Sequence, residues 1–312
     1  RQLLENAEAD CSIEEFVAYN YKLQKEALEE YNISLNLFSA SGLGRAREIH
    51  EQVSEEVFNC LYDNGYLSKN TTSQFYDSEL DVYLNGRQVE GYCPIEGCRS
   101  DKGYADECSL GHQYMPSELI NPRSKLTGNK PVLRDVTNWY FKLEDFQPLL
   151  QEWVDHLMQL PNTRPILTNI LQEFLKPPVI YVKKDHQSEV DALRNRLPEF
   201  KTEEEENKTS FEMIFENLED REKACNELTE NNIRYRTGKT LVPFRLTGNA
   251  EWGVPAPERE GVEGLTFWVW PESLWAPVSF TRTYLEMQNL GDEEWKKWWC
   301  SPDAGIYQFI GE

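Results

Sequence analysis

Apolar residues at helical spacing give the N-terminal third its first legible elements. Ile13, Phe16, Val17, Leu23, Ala27 and Leu28 predict an amphipathic helix over 12–31, with Asn20 as one polar break in the stripe. Ala46, Ile49, Val53, Val57, Cys60 and Leu61 predict a second helix from Leu43 to Asn64, which Gly65 would stop. Core packing accounts for both stripes. From Gln74 to Gly91 the period shortens to strand-like alternation, with Leu80, Val82 and Leu84 running into an Asn85-Gly86 turn. Val132–Leu143 reads as a further strand, and 145–158 and 165–175 read as consecutive helices.

Pro177-Pro178 marks a boundary. Beyond it, the short apolar run Val179–Val182 predicts a buried strand, followed by a helix from Ser188 to Leu197. Glu203–Glu206 reads as a solvated acidic loop. Phe211–Phe215 and a helix from Asp220 to Asn231 repeat the strand-helix order without a sequence repeat, and a hairpin is expected around Thr237-Gly238-Lys239. Residues 178–243 thus predict a small α/β insert. The remainder is rich in Trp, Pro and Gly, with strands expected at Thr266–Trp270 and Tyr307–Ile310.

Composition narrows the function classes. A length of 312 residues suits two domains or one with large insertions, and 39% apolar residues can fill a core. No apolar run approaches the roughly 20 residues of a membrane-spanning helix. The polar start Arg1–Asn6 is unlike a signal peptide, and the missing initiator Met suggests a fragment. A net charge of −22 counts against broad nucleic-acid binding, because phosphate contacts need clustered Lys and Arg. Seven cysteines, an odd number with Cys11, Cys60, Cys225 and Cys300 scattered, point to reduced thiols in the cytoplasm rather than to a disulfide scaffold.

Three of those cysteines and one histidine lie close together as Cys93-x4-Cys98-x9-Cys108-x3-His112. Three thiolates and an imidazole suit tetrahedral zinc, and Pro94, Gly97, Gly103 and Gly111 supply the tight turns that would let them converge. Asp106 or Glu107 could replace His112 as the fourth ligand. A closed set of four leaves no open coordination position, so the expected Zn2+ is structural, one per chain.

Four stretches in order resemble the class I methionyl-tRNA synthetases. They are Leu35–Ser39; Gly91-Tyr92-Cys93-Pro94 through Ala105–Cys108; Pro131 through Arg134 to Trp139–Leu143; and a last succession. That succession runs Trp252-Gly253-Val254-Pro255-Ala256-Pro257, Trp268-Val269-Trp270, Trp295 to Trp299 and Phe309-Ile310-Gly311-Glu312. The resemblance covers most of the chain outside 178–243. It implies an α/β fold: a partial Rossmann-type core with helical segments, a zinc-knuckle connective domain and the small insert. The corresponding divisions are 1–73, helical core; 74–144, zinc knuckle; 145–177, helical pair; 178–243, insert; and 244–312, partial nucleotide-binding core.

The resemblance further implies a cytoplasmic aminoacyl-tRNA ligase that uses ATP, an amino acid and a tRNA acceptor end. In it Trp270, Glu272 and Ser273 would border the amino-acid site, and Gly311 and Glu312 would approach the nucleotide. Motifs of the His-Ile-Gly-His and Lys-Met-Ser-Lys-Ser types do not occur in these 312 residues, so this stretch alone is expected to be inactive. The sequence also departs from the family's pattern. Asn121–Gly128 stands where a second cysteine knuckle is usual, and Thr247-Gly248-Asn249 replaces Thr-Arg-Asp. Trp270–Pro277 keeps only the Trp of the methionine-pocket stretch, which leaves an amino-acid-activating paralogue outside translation as an alternative. A non-catalytic, zinc-braced interaction module is the third reading.

Overall fold

The computed structural model describes residues 11–95, 97–112, 114, 116–204, 207–250 and 252–306. Two compact units emerge: the chain up to Phe141 together with the chain from Arg245 onward, and Lys142–Phe244 between them. Among the described residues no helix is long and apolar enough to cross a membrane.

In the first unit Ser12 caps helix α1 (Ile13–Glu30): its Oγ accepts from Glu15 N at 3.2 Å, and the Glu15 carboxylate accepts from Ser12 N at 2.8 Å. No residue of α1 is fully buried, so its apolar stripe is only partly covered. Helix α2 (Gly44–Asp63) buries Ala46, Ile49, His50, Val53, Ser54 and Phe58. Its inner face runs through Phe58, not through the exposed Cys60, and it carries two polar side chains.

Strand β1 (Leu67–Asp77) begins well before Gln74. The polar run Lys69–Ser73 hid its first half, because both faces of that stretch are largely in solvent. Strand β2 (Val82–Tyr83) pairs antiparallel with the end of β1. Asn85-Gly86 is not a hairpin turn: Asn85 Oδ1 accepts from Arg87 N and Gln88 N and caps a 3-10 turn, Gly86–Gln88, which leads into β3 (Val89–Tyr92). β3 pairs with β4 (Ile120–Ser124), and β5 (Val132–Phe141) runs along the whole of β1 from Leu67↔Phe141 to Tyr76↔Val132.

In the second unit helices α3 (Gln147–Gln159) and α4 (Pro165–Phe174) pack together, both starting at proline-containing first turns. After them β6 (Val179–Lys183), α5 (Gln187–Ala192), β7 (Lys201–Glu204), β8 (Ser210–Ile214), α6 (Leu218–Glu230) and β9 (Tyr235–Thr237) form one antiparallel sheet of order β7-β8-β6-β9. This is the split β-α-β-β-α-β, ferredoxin-like arrangement. Ile180, Val182, Phe211, Met213, Phe215, Ala224 and Leu228 make its core.

Three expectations for this insert are corrected. α5 ends at Ala192, short of Leu197. Glu203 and Glu204 belong to an edge strand, where exposed carboxylates are tolerated, and not to a loop. Thr237 closes no hairpin; β9 crosses to pair with β6, as in Tyr181↔Arg236.

The chain returns to the first unit beside β5, where Leu246 N donates to Trp139 O at 2.8 Å. Strands β10 (Thr247–Gly248) and β11 (Thr266–Phe267) pair, and Phe58, Leu67, Trp139, Leu246, Val254, Leu265 and Phe267 form the core around them. The expected strand through Trp270 stops at Phe267. Helix α7 (Val269–Met287) takes over and runs through Pro277, followed by α8 (Trp295–Trp299). Proline removes one i→i−4 bond, here the one to the Ser273 carbonyl, so Pro271 and Pro277 disguise a helix that packing on α2 sustains. Tyr307–Ile310 lies outside the described residues.

Candidate metal centre

β3 delivers Cys93 directly after Tyr92, and two short turns bring the remaining donors back to it. In the first turn Cys98 N donates to Ile95 O at 3.1 Å; in the second Gly111 N donates to Cys108 O at 2.9 Å, and Cys108 N to His112 O at 3.0 Å. The residues just before Cys98 and His112 are Gly97 (φ 78°) and Gly111 (φ 80°), a left-handed conformation that side chains resist. Both turns thus use one device to swing a ligand inward.

Close backbone approach locks the two turns together. Gly103 bridges both Gly91 and Cys108, and a Cβ on it would sit 2.8 Å from Tyr114 Oη and 3.1 Å from Cys93 N. The Tyr114 hydroxyl lies 2.9 Å from Tyr104 O and 2.7 Å from Glu107 O, where it donates. Cys108 is buried, and Cys93 and Cys98 pack against the same small core as Phe75, Leu84, Val89 and Leu119.

Cys93, Cys98 and Cys108 Sγ and His112 Nδ1 all lie within 4.8 Å of one another. Nδ1 is 3.2 Å from Cys98 Sγ, 3.5 Å from Cys108 Sγ and 3.7 Å from Cys93 Sγ; Cys98 and Cys108 Sγ are 3.9 Å apart. Zinc bonds of about 2.3 Å to sulfur and 2.0–2.1 Å to nitrogen, at tetrahedral angles, separate sulfur pairs by about 3.8 Å and sulfur–nitrogen pairs by about 3.5 Å. The donor set therefore fits a zinc-sized tetrahedral ion. Neither Asp106 nor Glu107 joins it; Glu107 pairs with Arg87 at 3.0 Å.

The electrostatics favour thiolate at one ligand. Burial pushes the Cys108 thiol up, but the N–H groups of Leu110 and His112, with Cys93 and Ser100, more than offset it and bring its pKa to about 6. Burial, with the neighbouring thiols, raises that of Cys93. Ser100 N also donates to Cys98 Sγ at 3.4 Å.

The cysteine-free stretch Asn121–Gly128 is held by oxygen chemistry instead. The buried Asp77 carboxylate accepts from Thr127 Oγ1 at 2.7 Å and from Glu79 N at 3.0 Å, and Ser124 Oγ accepts from Leu126 N at 3.2 Å.

Of the expected amino-acid site, Trp270, Glu272 and Ser273 share the first turn of α7. Trp270 is exposed, and Ser273 Oγ donates back to Trp270 O at 2.8 Å. Glu272 turns inward, its Oε2 3.7 Å from Nε2 of His50. Sequence reading missed His50, although it falls on the α2 face defined by Ala46, Ile49 and Val53. Gly311 and Glu312 lie outside the described residues.

Over 291 residues the chain is 24% identical to the methionine–tRNA ligase of Parabacteroides distasonis, covering 92% of this chain and 31% of that protein. Over 307 residues it is 26% identical to the cytoplasmic methionine–tRNA ligase of Arabidopsis thaliana, covering 98% and 29%. The solved Mycobacterium tuberculosis methionyl-tRNA synthetase bound by methionyl-adenylate aligns with a TM-score of 0.39 and 13% identity, covering 92% of this chain and 37% of that one. The chain thus spans about a third of the length of these relatives. The family model described as tRNA synthetases class I (M) matches residues 2–191 and 204–312, and the chain belongs to that family.

Proposed function

We propose that this chain carries the zinc-braced connective region and part of the catalytic fold of an ATP-dependent aminoacyl-tRNA ligase of methionyl type. The observation that carries the reading is the family match on both sides of the Cys93–His112 cluster, from residue 2 to residue 312 with one gap at 192–203. In this reading Cys93, Cys98, Cys108 and His112 hold one structural zinc. A closed ligand set gives the ion no open position for substrate, so it supplies folding energy and not chemistry.

The amino acid would lie against the first turn of α7, with Trp270 as an apolar wall and Glu272 and Ser273 beside it. Gly311 and Glu312 would lie toward the adenosine, and the connective region toward the tRNA acceptor end. The exposed free thiols of Cys11, Cys60 and Cys300 support a reducing, cytoplasmic setting.

Amino-acid-dependent ATP–pyrophosphate exchange by the full-length protein tests this reading. Exchange stimulated by methionine alone, with charging of tRNA, is the expected result; absence of exchange with every amino acid would leave the zinc-braced module. Ser273 and Pro277, where the family's pocket has Ala and Tyr, favour a second reading in which the activated amino acid serves a purpose other than translation. Exchange without tRNA charging would select it.

A further inference from the structure

Helices α2 and α7 are clamped along their lengths by contacts that each satisfy both partners. Arg45 meets Glu286 at 2.8 Å, Trp275 Nε1 donates to Ser54 Oγ at 2.8 Å, and Arg282 meets Glu56 at 2.6 Å. One contact in this interface is incomplete. His50, fully buried, has its Nδ1 2.8 Å from Ser279 Oγ, while its Nε2 stands 3.7 Å from Glu272 Oε2. Nε2 and Oε2 are both buried and neither has a hydrogen-bond partner.

A distance of 3.7 Å is about 1 Å too long for a hydrogen bond, and an unmade buried bond is unfavourable. The helices are already held elsewhere, so packing alone gives no reason to retain two ionisable groups at this point. What distinguishes the position is its neighbour: Glu272 belongs to the same helical turn as Trp270 and Ser273. Catalytic hydrogen bonds are often long in the unliganded state and tighten when substrate binds.

We propose that His50 is a positioning residue for the amino-acid site: anchored at Nδ1 by Ser279, it aims Nε2–H at Glu272 and fixes the turn that carries Trp270. The Ser279 hydroxyl has two acceptors in reach, Nδ1 at 2.8 Å and Trp275 O at 3.4 Å; donation over the shorter distance puts the ring proton on Nε2, the tautomer this contact requires. The inference rests on the proposed amino-acid site, so its test has one arm that depends on activity and one that does not.

His50→Asn keeps a polar group where Nδ1 is and loses Nε2; His50→Gln places an amide near Nε2. In pyrophosphate exchange by the full-length protein, H50N is expected to raise KM for the amino acid about tenfold with KM for ATP unchanged, as loss of orientation predicts, while H50Q stays within about twofold of wild type. Equal melting temperatures would exclude a folding effect as the cause. Equal losses in both variants, or an unchanged amino-acid KM in H50N, would overturn the proposal. The second arm is the 19F resonance of Trp270 in 5-fluorotryptophan-labelled protein, assigned with W270F. It should shift in H50N and not in H50Q, and an unmoved resonance overturns the positioning role. A wild-type protein inert with every amino acid, but showing the H50N shift, would instead count against the proposed activity.

Discussion

Nδ1 of His112 lies 3.2 Å from Sγ of Cys98, a residue of the other turn. Cys98 to Cys108, at 3.9 Å, and Cys93 to His112, at 3.7 Å, also join the two loops through their ligands. Metal analysis of the protein purified under reducing conditions should give about one zinc per chain, as four closed ligands imply. Two zincs, or none, would be incompatible with the site. His112→Ala should lose the ion, whereas His112→Cys should retain it.

The left-handed glycines give a more selective test. Gly111 at φ 80° precedes His112, and Gly128 at φ 78° lies away from the four ligands. A β-carbon at either position costs about 1–2 kcal/mol of backbone strain. Gly111→Ala should therefore weaken zinc binding in competition with a chromophoric chelator. Gly128→Ala should lower thermal stability by a similar amount and leave zinc affinity as it was.

Asp77 predicts an acid dependence. Burial pushes its pKa up, but hydrogen bonds from Ser124, Thr127 and the N–H groups of Glu79 and Leu80 outweigh burial and hold it below the usual carboxylate value. A carboxylate depressed in the folded state stabilises fully above its unfolded pKa of about 3.9, and that contribution disappears as pH falls through the folded value. Asp77→Asn should cost about 1–3 kcal/mol at neutral pH. Urea denaturation from pH 7 down should show the wild-type advantage shrinking below about pH 4; an advantage that grows toward acid would contradict the assignment.

The second unit has its own core, so its stability should be separable. Met213 is fully buried in the insert among Ile180, Phe211 and Leu228. Met213→Ala should cost about 2–5 kcal/mol by leaving a cavity. Hydrogen exchange should rise across Val179–Thr237 while protection of β1 and β5 is unchanged. Uniform loss of protection would show that the two units unfold as one.

Local rules made much of this molecule legible. The α2 stripe and the spacing of Cys93, Cys98, Cys108 and His112 were readable because a helix repeats every 3.6 residues and a metal turn closes within five or six. Legibility failed where a partner distant in sequence decides. Lys69–Ser73 is polar on both faces and is a strand because β5 runs beside it; β9, three residues long, is a strand because β6 pairs with it. Gly248 shows the same limit, since only the structure places a Trp268 ring atom 2.8 Å from where its β-carbon would be.

Sequence by itself determined that three thiols and a histidine could share one ion, and that the chain resembles a class I synthetase. It put His112 as the fourth ligand and left Asp106 or Glu107 able to replace it, because a ligand is chosen by where its atom arrives and not by its place in a string. Tertiary structure brings His112 Nδ1 among the three sulfurs and commits Glu107 to Arg87. It also drove α7 through Pro277, where packing against α2 outweighs one missing backbone bond, and so set Glu272 before His50.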